Sequence, residues 1–260
     1  MEKQKKDIEK LISPTIELMR SHRTVRAFRP DPLPDVWIEA IIEAAQWAPS
    51  SCFRQVYSVI AVKDLETKRE LRRLCGGQRW IEESPAFLAF CADLNRLEEI
   101  CLQQGKHVNL ELTETFLMAA VDVALFMQNA ALAGESLGLG VVMIGGLRDH
   151  PREVIRLLHL PSAVIGISGM CLGYPAENPE QRPRLPLAEV LQWECYRSDG
   201  RKERLATYDE SIRAAGVYRK RDGTFEGWVD VMARTTSKRP PEEGRYQLRE
   251  ILQEQGFEMK

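Results

Sequence analysis

The sequence has only four histidines, at 22, 107, 150 and 159. Its six cysteines include no Cys-x-x-Cys pair and have no zinc-ligand spacing with those histidines, so no metal centre is expected. There is no His-Glu-x-x-His run and no Gly-x-Ser-x-Gly elbow, which removes the common metallohydrolase and serine-hydrolase patterns. Walker A is missing. The turn beginning at Gly138-x-Gly140 puts Met143 where a dinucleotide fingerprint needs its third glycine. Charge of one sign is also lacking. A formal net charge of -2 gives no basic excess for a nucleic-acid binder. The opening MEKQKKDIEK holds no apolar core of the signal-peptide kind, so the expected setting is the cytoplasm, with reduced thiols. The longest apolar stretch, 116–134, is interrupted by Asp122, Gln128 and Asn129. It is expected to be a buried helix, not a membrane span.

What remains is an ordinary globular composition, 44% apolar and 28% charged over 260 residues. That is enough chain for one large domain or two small ones. Apolar spacing predicts a first helix over 7–20 and a second from 35, with Asp35 as its N-cap. Strands are expected at 57–62, 86–92, 141–144 and 164–172. Helices are expected at 67–74 and 151–158. A long one over 114–137 is apolar on nearly all sides and should form the centre of the core. The chain turns polar and mixed in charge from about 197. Short strands among helices indicate an α+β layer fold.

Two basic clusters and one turn could carry chemistry. If Ser21–Arg26 is extended, His22, Thr24 and Arg26 share a side and can all donate to an anion. In Arg182-Pro-Arg184 the prolines at 183 and 186 stiffen two guanidinium groups suited to phosphate. At Gly145-Gly146 a flat ring can approach the backbone, since no Cβ stands in the way. A chain without its own acid–base or metal kit can draw its chemistry from a cofactor.

The runs SHRTVRAF at 21–28, APSSCFRQ at 48–55, GGQ at 76–78, FCADLNR at 90–96, QNAALAGESLGLGVVMIGGLR at 128–148, GMCLGYPAENPEQRPRLP at 169–186 and ARTTSKRP at 233–240 span nearly the whole chain. Together they resemble the nitroreductase superfamily, in particular bacterial NADPH-dependent oxygen-insensitive nitroreductases and FMN-containing flavin reductases. The resemblance implies a nitroreductase-like α+β sandwich with an antiparallel-rich sheet and a long central helix. It implies an FMN-binding core over 1–196 and a C-terminal extension over 197–260 that wraps the partner of a homodimer and borders the active site.

It further implies ping-pong hydride transfer, through flavin N5, from NADPH or NADH to nitroaromatics, quinones or flavins. No side chain of the chain is then an essential acid. By position, His22 and Thr24 would meet the FMN phosphate with Arg182 and Arg184, and Arg26 the N1/O2 edge. Gln78 would meet the ribityl chain or pyrimidine edge, and Ile144, Gly145 and Gly146 the isoalloxazine. Ser50, Ser51 and Cys52 would approach from the other subunit. Arg221 and Arg234 would contact NADPH or substrate. The sequence departs from the pattern at Cys52 and Thr24, where serine is common, at Arg182, where lysine is, and at Met143, where an aromatic is. The competing possibility on the same fold is a non-catalytic flavin-binding redox sensor with Cys52 as the responsive group. Neither nucleic acid nor membrane is expected as a partner.

Overall fold

A computed structural model describes residues 10–238 and 244–260. The contacts divide the chain into two compact units: the residues up to Pro179 with the C-terminal segment from Pro241, and Glu180–Pro240.

In the first unit, α1 is Pro14–Ser21. It is shorter than the 7–20 expected; positions 7–9 of that expectation, Ile8 among them, lie outside the described residues. The start is set by Ser13, whose side chain accepts the Ile16 N–H, and by Pro14 in the first helical turn. Next comes α2, Asp35–Ala45, whose N-cap is Pro34 and not Asp35. The Asp35 carboxylate instead holds Lys63 Nζ at 2.6 Å. Strand β1 is Tyr57–Val62, α3 Leu65–Leu74, α4 Trp80–Glu83, β2 Ala86–Asp93 and α5 Asn95–Gln103. The long helix α6 is Thr113–Ser136, followed by β3, Gly140–Ile144, α7, Pro151–Leu157, and β4, Val164–Gly173.

The four strands form one sheet in the order β1-β2-β4-β3, with every neighbouring pair antiparallel. Strand β2 is buried along its whole length. Its apolar run follows from covering on both faces. Ala86, Leu88, Phe90 and Ala92 join the core beneath α2 and α6, while Phe87 and Ala89 join the opposite core under α3 and α7. In the first core Phe126 stacks on Tyr57 at 4.3 Å and meets Phe90 edge-on at 5.7 Å. Each such aromatic pair adds about 0.5–1.5 kcal/mol beyond burial.

The helix α6 lies at the centre of this core, but it is not buried all round. Ala119, Val123, Phe126 and Ala130 face inward, while Leu117, Val121 and Leu125 are 54%, 48% and 40% exposed. By length and composition this helix could cross a membrane, yet one face packs on the sheet. A helix on a single sheet can bury only one stripe within its own subunit. The outward apolar stripe is therefore exposed on the surface of this chain.

Three features bring the functional segments together. Thr24 and Val25 lie beside β3 through a parallel bridge between Thr24 and Val141, with Val25 N–H on the Val141 carbonyl at 3.0 Å, and Phe28 then bridges Pro175 beyond the end of β4. Gly140 permits this approach, because a Cβ there would stand 2.8 Å from the Val25 Cβ. The C-terminal helix α11, Leu248–Glu254, returns to the same unit, and Lys260 pairs with Glu111 and Thr113 at the foot of α6.

The second unit holds α8, Leu187–Val190, α9, Arg201–Ala214, the two-residue strands β5, Tyr218–Arg219, and β6, Phe225–Glu226, and α10, Trp228–Thr236. Here Asp209 takes the Val229 N–H at 2.8 Å and pairs with Arg213, joining α9 to α10.

Candidate functional site

Strand β3 ends at Ile144 and passes into the tight turn Gly145–Arg148. Ile144 is fully buried and packs close to Gly169, so only its backbone can face a ligand. A Cβ on Gly146 would stand 2.7 Å from the Cys75 carbonyl and 2.9 Å from Gln78 Nε2. That close approach joins two of the expected site elements: the glycine pair and the loop carrying Gln78. The Gln78 amide is itself fixed by a 2.8 Å bond to the Cys75 carbonyl. Gly76 and Gly77 in this loop have φ of 77° and 73°, values glycine adopts without strain.

The expected extended segment is present. Val25 points into the core, with His22, Thr24 and Arg26 half-buried beside it. The Arg26 guanidinium lies 5.6 Å from the Trp80 ring centre, which brings it to the helix that follows Gln78. The segment is held by Glu177, whose carboxylate takes the backbone N–H of Arg26 and of Ala27, the latter at 3.0 Å. His22 is oriented by Glu135 of α6, with Nδ1 2.5 Å from Oε1. Arg23 lies outside the alternating row of His22, Thr24 and Arg26, yet its Nε is buried and has no hydrogen-bond partner. An orphaned guanidinium donor costs free energy until an acceptor reaches it. Membership in the same SHRTVR run was the signal that could have found it.

The loop at 50–52 is anchored on α6 through Ser51. Ser51 donates its N–H to Asp122, and Ser50 Oγ accepts the Gln55 N–H at 3.3 Å. Cys52, Phe53 and Gln55 have φ of 50°, 57° and 53°, a strained run of side-chain-bearing residues that is uncommon outside functional loops. Cys52 is exposed.

The other expected residues belong to the second unit. Arg182 and Arg184 are exposed, and Arg184 Nη1 lies 3.4 Å from the Arg182 carbonyl. Arg221 occupies the turn between β5 and β6. Arg234 is engaged with Glu226 at 2.8 Å.

Around the glycine turn stand three charged groups that the sequence did not single out. Arg148 closes the turn and is half-buried. Burial lowers its pKa, Arg245 lowers it further, and Asp149 opposes both. Arg245 binds Asp149 through Nε at 2.6 Å and reaches the Gly145 carbonyl at 3.3 Å. The partners are 96 and 100 residues apart, beyond the reach of any local pattern. Among the described residues no His, Cys, Asp or Glu group is arranged to hold a metal.

This arrangement fits a flavin mononucleotide. At Gly145 the backbone is open to a flat ring on the side where no Cβ stands, while Gly146 is packed on Cys75 and Gln78, which sets the Gln78 amide beside the turn. Arg23 offers an unused donor to an anion, and Arg26 a cation on the same segment.

Comparison with known proteins gives a consistent set. The model of the nitroreductase family matches residues 19–174, and that of the nitroreductase family C-terminal domain matches 182–260. An oxygen-insensitive NADPH nitroreductase of Salmonella typhimurium is 40% identical over 246 residues, 95% of this chain and 99% of that one. An NAD(P)H FMN reductase of Bacillus subtilis is 36% identical over 249 residues, 94% and 98% of the two chains. The solved structure of B. megaterium NfrA1 superposes with a TM-score of 0.88 at 40% identity, covering 95% of this chain and 100% of its own. An NADPH:FMN oxidoreductase from Vibrio harveyi, solved with NAD+, gives 0.85 at 33% identity, covering 95% and 100%.

Proposed function

The chain belongs to the nitroreductase family, and from that premise we infer that it is an NAD(P)H-dependent flavin oxidoreductase that reduces nitroaromatics, quinones or flavins. The observation that carries the reading is the glycine turn at 145–146, packed too closely on Cys75 and Gln78 for any side chain at 146. When bound, FMN supplies a two-electron relay centred on its N5, between the nicotinamide and the acceptor.

The chain's part is to bind, orient and charge-balance. His22, Thr24 and Arg23 are proposed to take the phosphate, which carries about -1.5 to -2 at neutral pH. Glu135 fixes the His22 ring, and Glu177 fixes the backbone of the segment. Arg182 and Arg184 are proposed as further phosphate partners on the strength of their Arg-Pro-Arg spacing. Arg26 is proposed at the N1/O2 edge, where a preorganised cation stabilises the negative charge left after hydride arrival. Gln78, Ile144, Gly145 and Gly146 would line the ring and its side chain. Arg221 and Arg234 are proposed nucleotide contacts, for which Arg234 must leave Glu226.

The proposal includes a homodimer. Leu117, Val121 and Leu125 form an exposed apolar stripe on α6, and Trp47 and Phe53 are 86% and 81% exposed. An area of this kind on a folded chain marks an interface. Ser50, Ser51 and Cys52, held on the same helix through Asp122, would thereby be presented to the neighbouring flavin. Of the extension over 197–260, the part up to 238 is proposed to wrap the partner subunit, since the segment from 244 packs on its own first unit. All six cysteines are free, which suits a soluble protein in a reducing cytoplasm. The sensor alternative has no feature of this chain in its favour.

The test is optical. The purified protein should be yellow, should bleach anaerobically with NADPH and should recover its colour with a quinone. A protein that neither binds added FMN nor oxidises NADPH would overturn the reading.

A further inference from the structure

Behind the proposed flavin turn the fold assembles charges that neither holding the phosphate nor packing the core requires. Arg148 is tied down by its Nη1 bond to the Ile167 carbonyl, which leaves its Nη2 3.8 Å from where a Gly145 Cβ would stand. Asp149 follows it. One carboxylate oxygen binds both Nε and Nη2 of Arg245. The other lies 3.5 Å from the Cβ position of Gly76, at the back of the loop carrying Gln78. Arg245 Nη2 bonds the Gly145 carbonyl itself, at 3.3 Å. The Asp149 and Arg245 side chains are 30% and 37% exposed, so neither charge is fully screened by water. A carbonyl within the turn, a carboxylate after it and a guanidinium from the far end of the chain thus form one bonded set. With Arg148 beside it, the three side chains carry a formal charge of +1.

We propose that Arg148, Asp149 and Arg245 act together as a charge triad that sets the reduction potential of the flavin at this turn. Arg245 raises the potential and Asp149 restrains it. The proposal rests on the flavin reading above. A hydride delivers two electrons with one proton, so the ring gains one negative charge that the protein's field can stabilise. Fixed charges close to the ring change that stabilisation in proportion to their sign. In a partly exposed site, removing one unit charge several ångströms away changes the equilibrium by about tenfold.

The experiment is spectroelectrochemical titration of the FMN-loaded protein and of four variants. Arg245→Gln should lower the reduced-to-oxidised ratio at a given applied potential by about tenfold. Asp149→Asn, which leaves Arg245 its bond to the Gly145 carbonyl, should raise it by a similar factor. The double variant restores the formal charge of the set and should return to within about twofold of the wild type. Arg245→Lys keeps the charge and should also stay near wild type, and it replaces the Gln variant if that protein fails to fold. Shifts of the two single variants in the same direction, or none at all with flavin still bound, overturn the triad. A wild-type protein that takes up no flavin would overturn the parent reading and the triad with it.

Discussion

Ser51 donates its backbone N–H to Oδ1 of Asp122 at 3.0 Å, joining the strained loop after α2 to the middle of α6. Asp122 is 2% exposed and its second oxygen has no partner. The loop thus depends on one carboxylate that the helix core accommodates at a cost. Asp122→Ala should leave the Ser51 N–H unsatisfied and destabilise the protein by about 1–3 kcal/mol. Urea denaturation would measure that loss. Trypsin cleavage at Arg54 should accelerate in parallel, since the loop loses its anchor.

The two glycines of the turn should respond differently to alanine. A Cβ on Gly146 meets the Cys75 carbonyl at 2.7 Å, and a backbone group cannot move aside cheaply. Gly146→Ala should therefore lower the melting temperature of the apoprotein and weaken FMN binding as well. At Gly145 the nearest neighbour is Arg148 Nη2 at 3.8 Å, ordinary contact distance. Gly145→Ala should melt like the wild type but bind FMN at least tenfold more weakly, as fluorescence titration would report. Equal flavin affinity in Gly145→Ala and the wild type would place the ring elsewhere.

The exposed stripe on α6 gives a direct test of assembly. Leu125 is 40% exposed and lies on the same face as Val121 and Leu117. Leu125→Glu would force a carboxylate into an apolar interface, which costs several kcal/mol when unpaired. Light scattering should then find a monomer where the wild type is a dimer. A wild-type monomer at micromolar concentration would refute the homodimer proposal.

The sheet was legible because its strands are short apolar runs bounded by breakers. Tyr57–Val62 is closed by Lys63-Asp64 and is found at the expected bounds, and Ala86–Asp93 extends one residue past them. The His22–Arg26 segment was legible from the prolines that follow it. Four things were not. Asp35 was expected as a cap because aspartate often is one, but Lys63, 28 residues away, holds it. Helix α6 was expected to be a buried helix at the centre of the core, because composition counts apolar residues without saying how many faces the rest of the chain can cover. Arg245 and Asp149 meet only through the fold, and nothing local distinguishes Arg245 from the solvated charges of the polar tail. Lys68 is similarly hidden: it is 6% exposed, with Nζ on the Ser84 carbonyl at 2.5 Å, within a helix that otherwise reads as a surface helix.

Alkaline pH should expose the buried thiols. Burial pushes Cys75, Cys91 and Cys171 up to about 12, with Asp149, Asp93 and Cys75 respectively adding to the rise. In the unfolded chain the same thiols ionise near 9.0. A raised folded-state value means that stability is complete below pH 9 and is lost as pH climbs from about 9 towards 12. Lys68 works against this trend. Burial lowers its pKa from 10.5, so its unfavourable contribution at neutral pH is relieved as pH rises. One lysine opposes three thiols, and the net slope should be downward. Urea midpoints measured between pH 8 and 11 should fall, and Cys91→Ala should flatten the fall by removing one of the three groups. Thiol labelling at pH 8 supplies the kinetic counterpart. The exposed Cys52 and Cys195 should react at once in the apoprotein, with half-buried Cys101 slower, and the three buried thiols only at the unfolding rate. Fast labelling of the buried thiols under native conditions would mean that the core around the Gly146 turn opens far more readily than its packing allows.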